Sequence, residues 1–221
     1  MVRTVQTTVG ILARGPWAVE DVEAHWREER FQPDAEKVRA ADDAIRELAQ
    51  RGSPSHDGVA GRLASFDHTP SGGLRLELQP TRWALRLVEG DASDSIAALC
   101  VARDHEGRWL AGRRAPWLAS WPGRWALGAG GSVDLGESPV ETLTRELHEE
   151  WSVAAERVTA EALVRLPHHL VMFVGMAWLP AGAEVEPDHE HDAYAWWPAD
   201  VNAWPEEASE PLRRMASLLA V

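Results

Sequence analysis

Three glutamates on one short segment, Glu146, Glu149 and Glu150, are the residues of this chain best suited to chemistry. On a helix they occupy neighbouring arcs, because consecutive residues are about 100° apart. Carboxylates held this close repel one another unless a cation lies between them. Hard divalent cations such as Mg²⁺ take oxygen ligands and are shared with substrate phosphates. The cluster therefore favours a site for a divalent cation.

The segment that carries the glutamates has the signals of a helix beginning at Pro139. Ser138 stands at the N-cap, Pro139 takes the first helical position, and Glu141 completes a capping box. Arg145 can pair with Glu149 four residues later or with Glu141 four residues earlier. The apolar residues fall on one side of the predicted helix: Val140, Leu143, Leu147 and Trp151.

A solvated acidic face is the alternative interpretation of these glutamates, since the whole chain is acidic. Carboxylates in the last turn of a helix cost about 0.3–1 kcal/mol each, because the helix dipole favours cations there. The preceding turn at residues 128–131, with the sequence GAGG, favours a ligand site. Glycine lets backbone groups approach a ligand closely.

This arrangement resembles the Nudix box of the Nudix hydrolases. The resemblance covers residues 131–153, and the matching residues are Gly131, Glu137, Arg145, Glu146, Leu147, Glu149, Glu150 and Val153. One position departs from the pattern, because the family has glycine where this chain has Ser152. That position lies just past the helix, where a left-handed backbone is common and glycine is favoured. Serine there costs about 1 kcal/mol.

The resemblance implies a metal site made from residues of the box. The ligands would be Glu146, Glu149 and Glu150, with the backbone carbonyl of Gly130 or Gly131, and the cofactor would be Mg²⁺ or Mn²⁺.

The resemblance also implies the reaction and its catalytic residues, Glu149, Glu150, Arg145 and Glu137. Arg145 and Glu137 would pair with each other or with the ligating acids and so orient them. Activated water would hydrolyse a diphosphate bond in a nucleoside diphosphate linked to another group. A nucleotide sugar or ADP-ribose is the favoured substrate, and the identity of the general base stays open.

A second acidic segment at residues 184–192 contains Glu190, which precedes a predicted strand. Nudix domains often place a further acid at such a position, so Glu190, or with less support Asp192, is predicted to contribute a metal ligand or base. A solvated acidic loop is the alternative. His189 and His191 are interpreted as exposed loop residues rather than ligands for a transition metal, because phosphate chemistry favours oxygen ligands.

Two other functions share this pattern. An isoprenoid diphosphate isomerase-like enzyme would need a positioned cysteine, and Cys100, the one cysteine, is predicted to be buried in a strand. A non-catalytic nucleotide-sensing module is the second alternative, but such domains usually lose acids of the box, and this chain keeps them.

Composition limits the partners of the protein. The 221 residues carry a net charge of −13, which argues against binding a nucleic acid polymer and leaves a small-molecule nucleotide as the expected partner. A single cysteine indicates the reducing cytoplasm. No signal peptide and no apolar run of about 18 residues is seen, so no membrane association is expected. A homodimer is compatible with the sequence.

Hydrophobic patterning predicts an α+β chain in two parts. Residues 1–92 are predicted to form a smaller α+β region for dimerisation, a lid or substrate binding. Residues 93–221 are expected to form a Nudix-type α/β/α sandwich with a mixed sheet. Helices are predicted at Val19–Glu29, Pro33–Ala49 and Ser209–Leu219, beside the box helix. Strands are predicted at 8–13, 63–67, 73–78, 95–103, 108–113, 125–127, 160–166, 169–179 and 195–197, and residues 81–88 fit a strand or a helix.

Overall fold

A computed structural model describes residues 9–53, 57–90, 92–118, 120–167 and 170–220. Its helices are α1 (Ala35–Gln50), α2 (Pro139–Trp151) and α3 (Glu210–Leu219). Its strands are β1 (Gly10–Ala18), β2 (Val22–Trp26), β3 (Val59–His68), β4 (Leu74–Arg82), β5 (Ile96–Arg103), β6 (Trp109–Arg114), β7 (Trp125–Leu127), β8 (Ala129–Ser132), β9 (Arg157–Arg165), β10 (Val171–Trp178) and β11 (His191–Trp197).

The larger sheet has eight strands and mixed direction. Its main order is β1-β9-β10-β5-β6-β11, with β7 paired to β6 and β8 paired to β5. Strand β10 runs parallel to β5, whereas β9 and β11 pair antiparallel with their neighbours. The glycine turn expected at residues 128–131 is mostly strand instead, because residues 129–132 form β8 and pair with β5. This pairing places Gly130 and Gly131 beside Glu150 and Glu146 in the second half of α2.

The two faces of this sheet are covered by different helices. On one face, Leu143, Leu147 and Trp151 of α2 pack into a core that contains Cys100. On the other face, α3 contributes Ala216 to a second core around Trp109, Trp197 and Trp204. The predicted α/β/α sandwich with a mixed sheet is therefore confirmed.

The smaller sheet and α1 form the α+β region expected before the sandwich. Its strand order is β2-β4-β3, with β2 parallel and β3 antiparallel to β4. A 3₁₀ helix at Trp83–Leu87 follows β4, so the segment that fitted either a strand or a helix contains both. Ala41 of α1 packs against Ala84 and Leu85 of this 3₁₀ helix and holds it in place.

The helix predicted at Val19–Glu29 is wrong. A 3₁₀ turn at Val19–Asp21 leads directly into β2. In β2, Val22 and Trp26 are partly buried, whereas Glu23 and His25 are exposed, which is the two-residue period of a strand. Apolar residues four apart fit the period of a helix as well as that of a strand. The pairing of this segment with β4 makes it a strand.

The first strand of the chain crosses the predicted boundary at residue 92. Gly10 pairs with Arg165 and Ala18 with Thr159, so β1 is an edge strand of the larger sheet. The division into regions 1–92 and 93–221 stays a prediction. No helix among the described residues is long and apolar enough to cross a membrane.

Ser152 ends α2 in the left-handed conformation, with φ 52° and ψ 31°. Its N–H donates to the carbonyl of His148, which closes the last turn. The position therefore has the backbone for which glycine is favoured, as its place in the sequence predicts.

Replacing Ser152 with glycine should stabilise the protein by about 1 kcal/mol, because the Cβ that opposes a left-handed backbone is removed. For a chain of this size that gain raises Tm by about 2–4 °C. Thermal unfolding measures the shift, and Ser152→Ala is the control because it keeps the Cβ. Equal Tm values for the glycine and alanine variants would contradict the backbone explanation.

Candidate functional site

The start of α2 fixes the direction in which its acidic side chains point. The hydroxyl of Ser138 accepts the N–H of Glu141 at 3.2 Å, and the Glu141 carboxylate accepts the N–H of Ser138 at 2.7 Å. The predicted capping box is therefore present. Because the Glu141 carboxylate is bonded to the Ser138 N–H in this capping box, the alternative pairing of Glu141 with Arg145 does not form.

Arg145 is bonded to three carboxylates at once. Its Nε lies 2.8 Å from Glu137 Oε1, and its Nη1 lies 2.7 Å from Glu146 Oε1 and 2.9 Å from Glu149 Oε2. Its Nη2 also donates to the carbonyl of Ser132 at 3.2 Å. One guanidinium therefore links the loop before α2 to two acids on the helix.

The Glu137 carboxylate lies at the far end of this network. Burial raises the pKa of Glu137, but hydrogen bonds from Arg145 and Thr142 outweigh it and hold the pKa below its ordinary value. Glu137 therefore stays charged and keeps Arg145 in place.

Glu150 is the most deeply buried acid of the cluster, with 5% of the residue exposed. Its Oε1 accepts the N–H of Gly130 at 2.9 Å. Its Oε2 forms no hydrogen bond with any described residue and has His191 Nε2 at 3.6 Å. Burial raises the pKa of Glu150 well above its ordinary value, and the charges of Glu146 and Glu190 add to the effect. A buried carboxylate oxygen without a partner is costly unless a cation or a proton reaches it.

Glu146 fits against a backbone that has no room for a side chain. A Cβ built on Gly131 would lie 2.0 Å from Glu146 Oε1. Gly131 is therefore required where the Glu146 carboxylate meets β8. Burial raises the pKa of Glu146, and the positive charge of Arg145 opposes that shift.

These acids open into a cavity of about 370 Å³, within the range of small-molecule sites. Of the site residues predicted from the sequence, the cavity wall includes Gly130, Gly131, Arg145, Glu146, Glu149, Glu150 and Glu190. Glu137 lies outside the wall and reaches it through Arg145. Asp192 also lies outside, since it pairs with Arg113 at 2.6 Å on the strand surface.

Glu190 joins the other acids because β11 pairs with β6. Burial raises the pKa of Glu190, and Arg114, 3.7 Å away, opposes the shift. The structure thus brings Glu190 from the second acidic segment to the cluster on α2.

The two histidines of that segment have different surroundings. His189 is exposed and stacks on Trp117, with ring centroids 5.3 Å apart. His191 is buried, which corrects the expectation of an exposed loop residue. Its ring packs on Trp151 at 4.5 Å and fits because Gly112 has no side chain, since a Cβ there would lie 2.3 Å from the ring. His168 and His169 lie outside the described residues.

Other cavity residues are absent from the sequence prediction, among them Trp83, Arg86 and Arg114. Trp83 Nε1 and Arg86 Nη1 both donate to the Ser132 hydroxyl, at 3.0 and 2.6 Å. No motif marks the segment that carries Trp83 and Arg86, so its position becomes visible only when the chain path is known.

The N-terminal region also supports the loop before α2. Trp26 Nε1 donates to the carbonyl of Glu137 at 2.8 Å, and the N–H of Gly61 donates to the carbonyl of Val133 at 2.8 Å. The small sheet therefore fixes the backbone on which Glu137 is placed.

The cluster has the oxygen ligands that a hard cation takes, and Glu150 Oε2 is a buried carboxylate oxygen to which no described residue donates a hydrogen bond. In the described part of the chain, no three His, Cys, Asp or Glu side chains are already grouped around a metal position. Arg145 bonds to both Glu146 and Glu149 and takes up their charge. The donor chemistry fits Mg²⁺ or Mn²⁺, and Arg145 balances the acids when no cation is bound.

Several known proteins and one family model are similar to this chain. The family model of the NUDIX domain matches residues 94–219. An isopentenyl-diphosphate Delta-isomerase from Leifsonia xyli subsp. xyli is 39% identical over 61 residues, which are 28% of this chain and 33% of that protein. The chain therefore aligns with about a third of that curated relative.

Two solved structures of low sequence identity are each similar to part of this chain. The NUDIX domain of Shewanella oneidensis NrtR, complexed with ADP ribose, is 18% identical with a TM-score of 0.47, covering 61% of this chain and 89% of that one. An Ap4A hydrolase of C. elegans in a binary complex is 22% identical with a TM-score of 0.44, covering 56% of this chain and 92% of that one.

Replacing Gly131 with alanine should destabilise the protein by about 1–3 kcal/mol, because the new methyl group overlaps the Glu146 carboxylate. Urea unfolding measures the loss. The double variant Gly131→Ala/Glu146→Asp is the matched test, since the shorter acid withdraws from the methyl group and should restore part of the stability. A Gly131→Ala variant as stable as the wild type would show that the close approach is not required.

Proposed function

Because this chain belongs to the NUDIX domain family, we propose that it is a diphosphohydrolase that uses a divalent cation. The observation that carries the proposal is the cluster of Glu146, Glu149, Glu150 and Glu190 on one cavity, with a buried oxygen of Glu150 to which no described residue donates a hydrogen bond. Mg²⁺ or Mn²⁺ held there would neutralise phosphate charge and favour deprotonation of an attacking water.

The side chains of the cluster have separate tasks in this proposal. Glu146, Glu149 and Glu150 hold the cation, with the backbone carbonyl of Gly130 or Gly131, and Glu190 supplies a further carboxylate. Glu149 or Glu150 would also accept the proton that the attacking water loses.

Arg145 and Glu137 act on the reaction by orienting these acids. Arg145 is fixed by Glu137 and bonds to Glu146 and Glu149, so it sets the positions of two ligating carboxylates before the substrate arrives. Preorganised charge of this kind avoids reorganisation during the reaction.

The proposed substrate is a nucleoside diphosphate linked to another group, with a nucleotide sugar or ADP-ribose favoured. The cavity combines the acidic cluster with Arg86, Arg114, Trp83 and Trp121. Arginine suits phosphate oxygens, and aromatic faces suit a nucleobase. A cytoplasmic location and a homodimer stay predictions from the sequence.

An isoprenoid diphosphate isomerase is the second candidate, favoured by the 61-residue match to such an enzyme. The cysteine that this reaction needs has no access to the cavity. Cys100 is fully buried, it is absent from the cavity wall, and burial raises the pKa of its thiol to about 12. The hydrolase is therefore the better supported function.

A substrate panel with Mg²⁺ or Mn²⁺ tests the proposed reaction. The panel holds ADP-ribose, ADP-glucose, UDP-glucose, GDP-mannose, NADH, a nucleoside triphosphate and isopentenyl diphosphate. We expect one nucleoside diphosphate derivative to be hydrolysed far faster than the others and a chelator to abolish its turnover. Isomerisation of isopentenyl diphosphate, or nucleotide binding without turnover of any compound, would overturn the proposal.

Glu149→Gln and Glu150→Gln should each reduce turnover by at least about 100-fold, the lower range for losing a positioned acid or base. Their effects on stability should differ. Glu150→Gln removes a buried charge and should raise Tm, whereas the Glu149 side chain is 56% exposed and its replacement should leave Tm nearly unchanged. Turnover and thermal unfolding are measured together.

Glu184→Gln is the control for this pair, because Glu184 is exposed and lies outside the cavity wall. It removes one negative charge at a distance from the cluster. Normal turnover in both cavity variants would refute the assignment of these two acids.

A further inference from the structure

The cavity has one wall that comes from the N-terminal region. The 3₁₀ helix Trp83–Leu87 places Trp83 and Arg86 beside β8. Both side chains donate to the hydroxyl of Ser132, which is the last residue of β8. The Arg86 guanidinium also lies 5.3 Å from the centre of the Trp83 ring. Arg86 is therefore held at the cavity by two contacts from fixed residues.

The three arginines of the cavity differ in how their charge is balanced. Arg145 bonds to three carboxylates, and Arg114 has Glu190 at 3.7 Å and donates to the carbonyl of Ser120. Within the described part of the chain, Arg86 forms no salt bridge, and its hydrogen-bond acceptor is the neutral Ser132 hydroxyl. Arg86 is thus the cavity cation whose charge is left for a ligand.

The surroundings of Arg86 make this arrangement costly without an anion. The residue is half-buried, and burial lowers the pKa of its guanidinium, with the positive charge of Arg114 adding to the shift. Placing two cations near each other in a partly dry cavity costs free energy unless an anion lies with them. The negative charge of Glu146 raises the pKa of Arg86, but the Glu146 carboxylate is already bonded to Arg145.

We propose that Arg86 binds a phosphate group of the substrate and that the N-terminal region is thereby part of the substrate-binding site. This inference rests on the proposed diphosphohydrolase function, because it places the anion in the same cavity. A guanidinium presents a planar set of N–H donors that matches phosphate oxygens. One N–H of Arg86 is used by Ser132, and the others remain for the ligand.

The assignment gives the α1 helix a function. Ala41 of α1 packs on Ala84 and Leu85, and Arg82 at the end of β4 lies 2.6 Å from Asp42 of α1. These contacts fix the 3₁₀ helix on which Arg86 is carried. The N-terminal region therefore acts as a rigid support for a binding residue.

Binding of methylenediphosphonate, a diphosphate analogue that cannot be hydrolysed, tests the assignment in the full chain with Mg²⁺. Titration calorimetry should show that Arg86→Gln raises Kd about tenfold, the loss expected for one charge-assisted contact. The Kd of Arg86→Lys should lie between that of the wild type and that of Arg86→Gln, because lysine keeps the charge but lacks the planar N–H donors. With the substrate that the panel identifies, Arg86→Gln should raise KM more than it lowers kcat.

Two further variants separate direct binding from other effects. Arg75→Gln removes the same charge from an exposed residue of β4 that pairs with Glu23, and should leave Kd unchanged. Ser132→Ala removes the shared acceptor and should weaken binding less than Arg86→Gln. An equal loss in Arg75→Gln would show an effect of net charge alone and would overturn the assignment. A smaller loss in Ser132→Ala supports it, because the Ser132 hydroxyl holds Arg86 at the cavity.

The remaining outcomes distinguish this assignment from the proposed reaction. Binding that depends on Arg86, together with no hydrolysis of any panel compound, would support the assignment and reject the diphosphohydrolase. Hydrolysis by the wild type, with Kd and KM unchanged in Arg86→Gln, would reject the assignment alone. A wild type that does not bind methylenediphosphonate would also reject it.

Discussion

Repulsion among four carboxylates is the constraint on which the site depends. Glu146, Glu149, Glu150 and Glu190 share one cavity wall, and three of them have pKa values raised first by burial. Three groups offset these charges. Arg145 bonds to Glu146 and Glu149, the Gly130 N–H bonds to Glu150, and Arg114 lies near Glu190. The charge is thus concentrated without being fully neutralised, which is the electrostatic condition for attracting a divalent cation.

The N-terminal region stabilises the same backbone from outside the sandwich. Trp26 and Gly61 donate to carbonyls between β8 and α2, and Trp83 and Arg86 donate to the Ser132 side chain. Buried carbonyls that lack partners are costly, so these bonds favour one conformation of the loop. The loop that presents Glu137 to Arg145 is therefore positioned by two sheets rather than one.

The sequence predicts well those features that are local. The capping box, the apolar side of α2 and the left-handed end at Ser152 all follow from residues within one helix, and the structure has them. The fold class follows from the family resemblance carried by the same segment. The segment Val19–Glu29 is the counterexample, because its four-residue spacing fits both a helix and a strand. Its partner strand, which decides between them, begins at Leu74, since Val22 pairs with Leu74. Arg86 is missed for a related reason, since its position in the cavity depends on how β4 and α1 are arranged.

The pairing of β1 with β9 has a consequence for the order of folding. Gly10 meets Arg165, so the edge of the larger sheet is completed by residues separated by most of the chain. During synthesis β1 leaves the ribosome long before its partner exists, and β2, β3 and β4 form a sheet that does not include it. Contacts of such long sequence separation form late, because the intervening chain must first be ordered. The smaller sheet is therefore able to form first, and β1 is among the last strands to be incorporated.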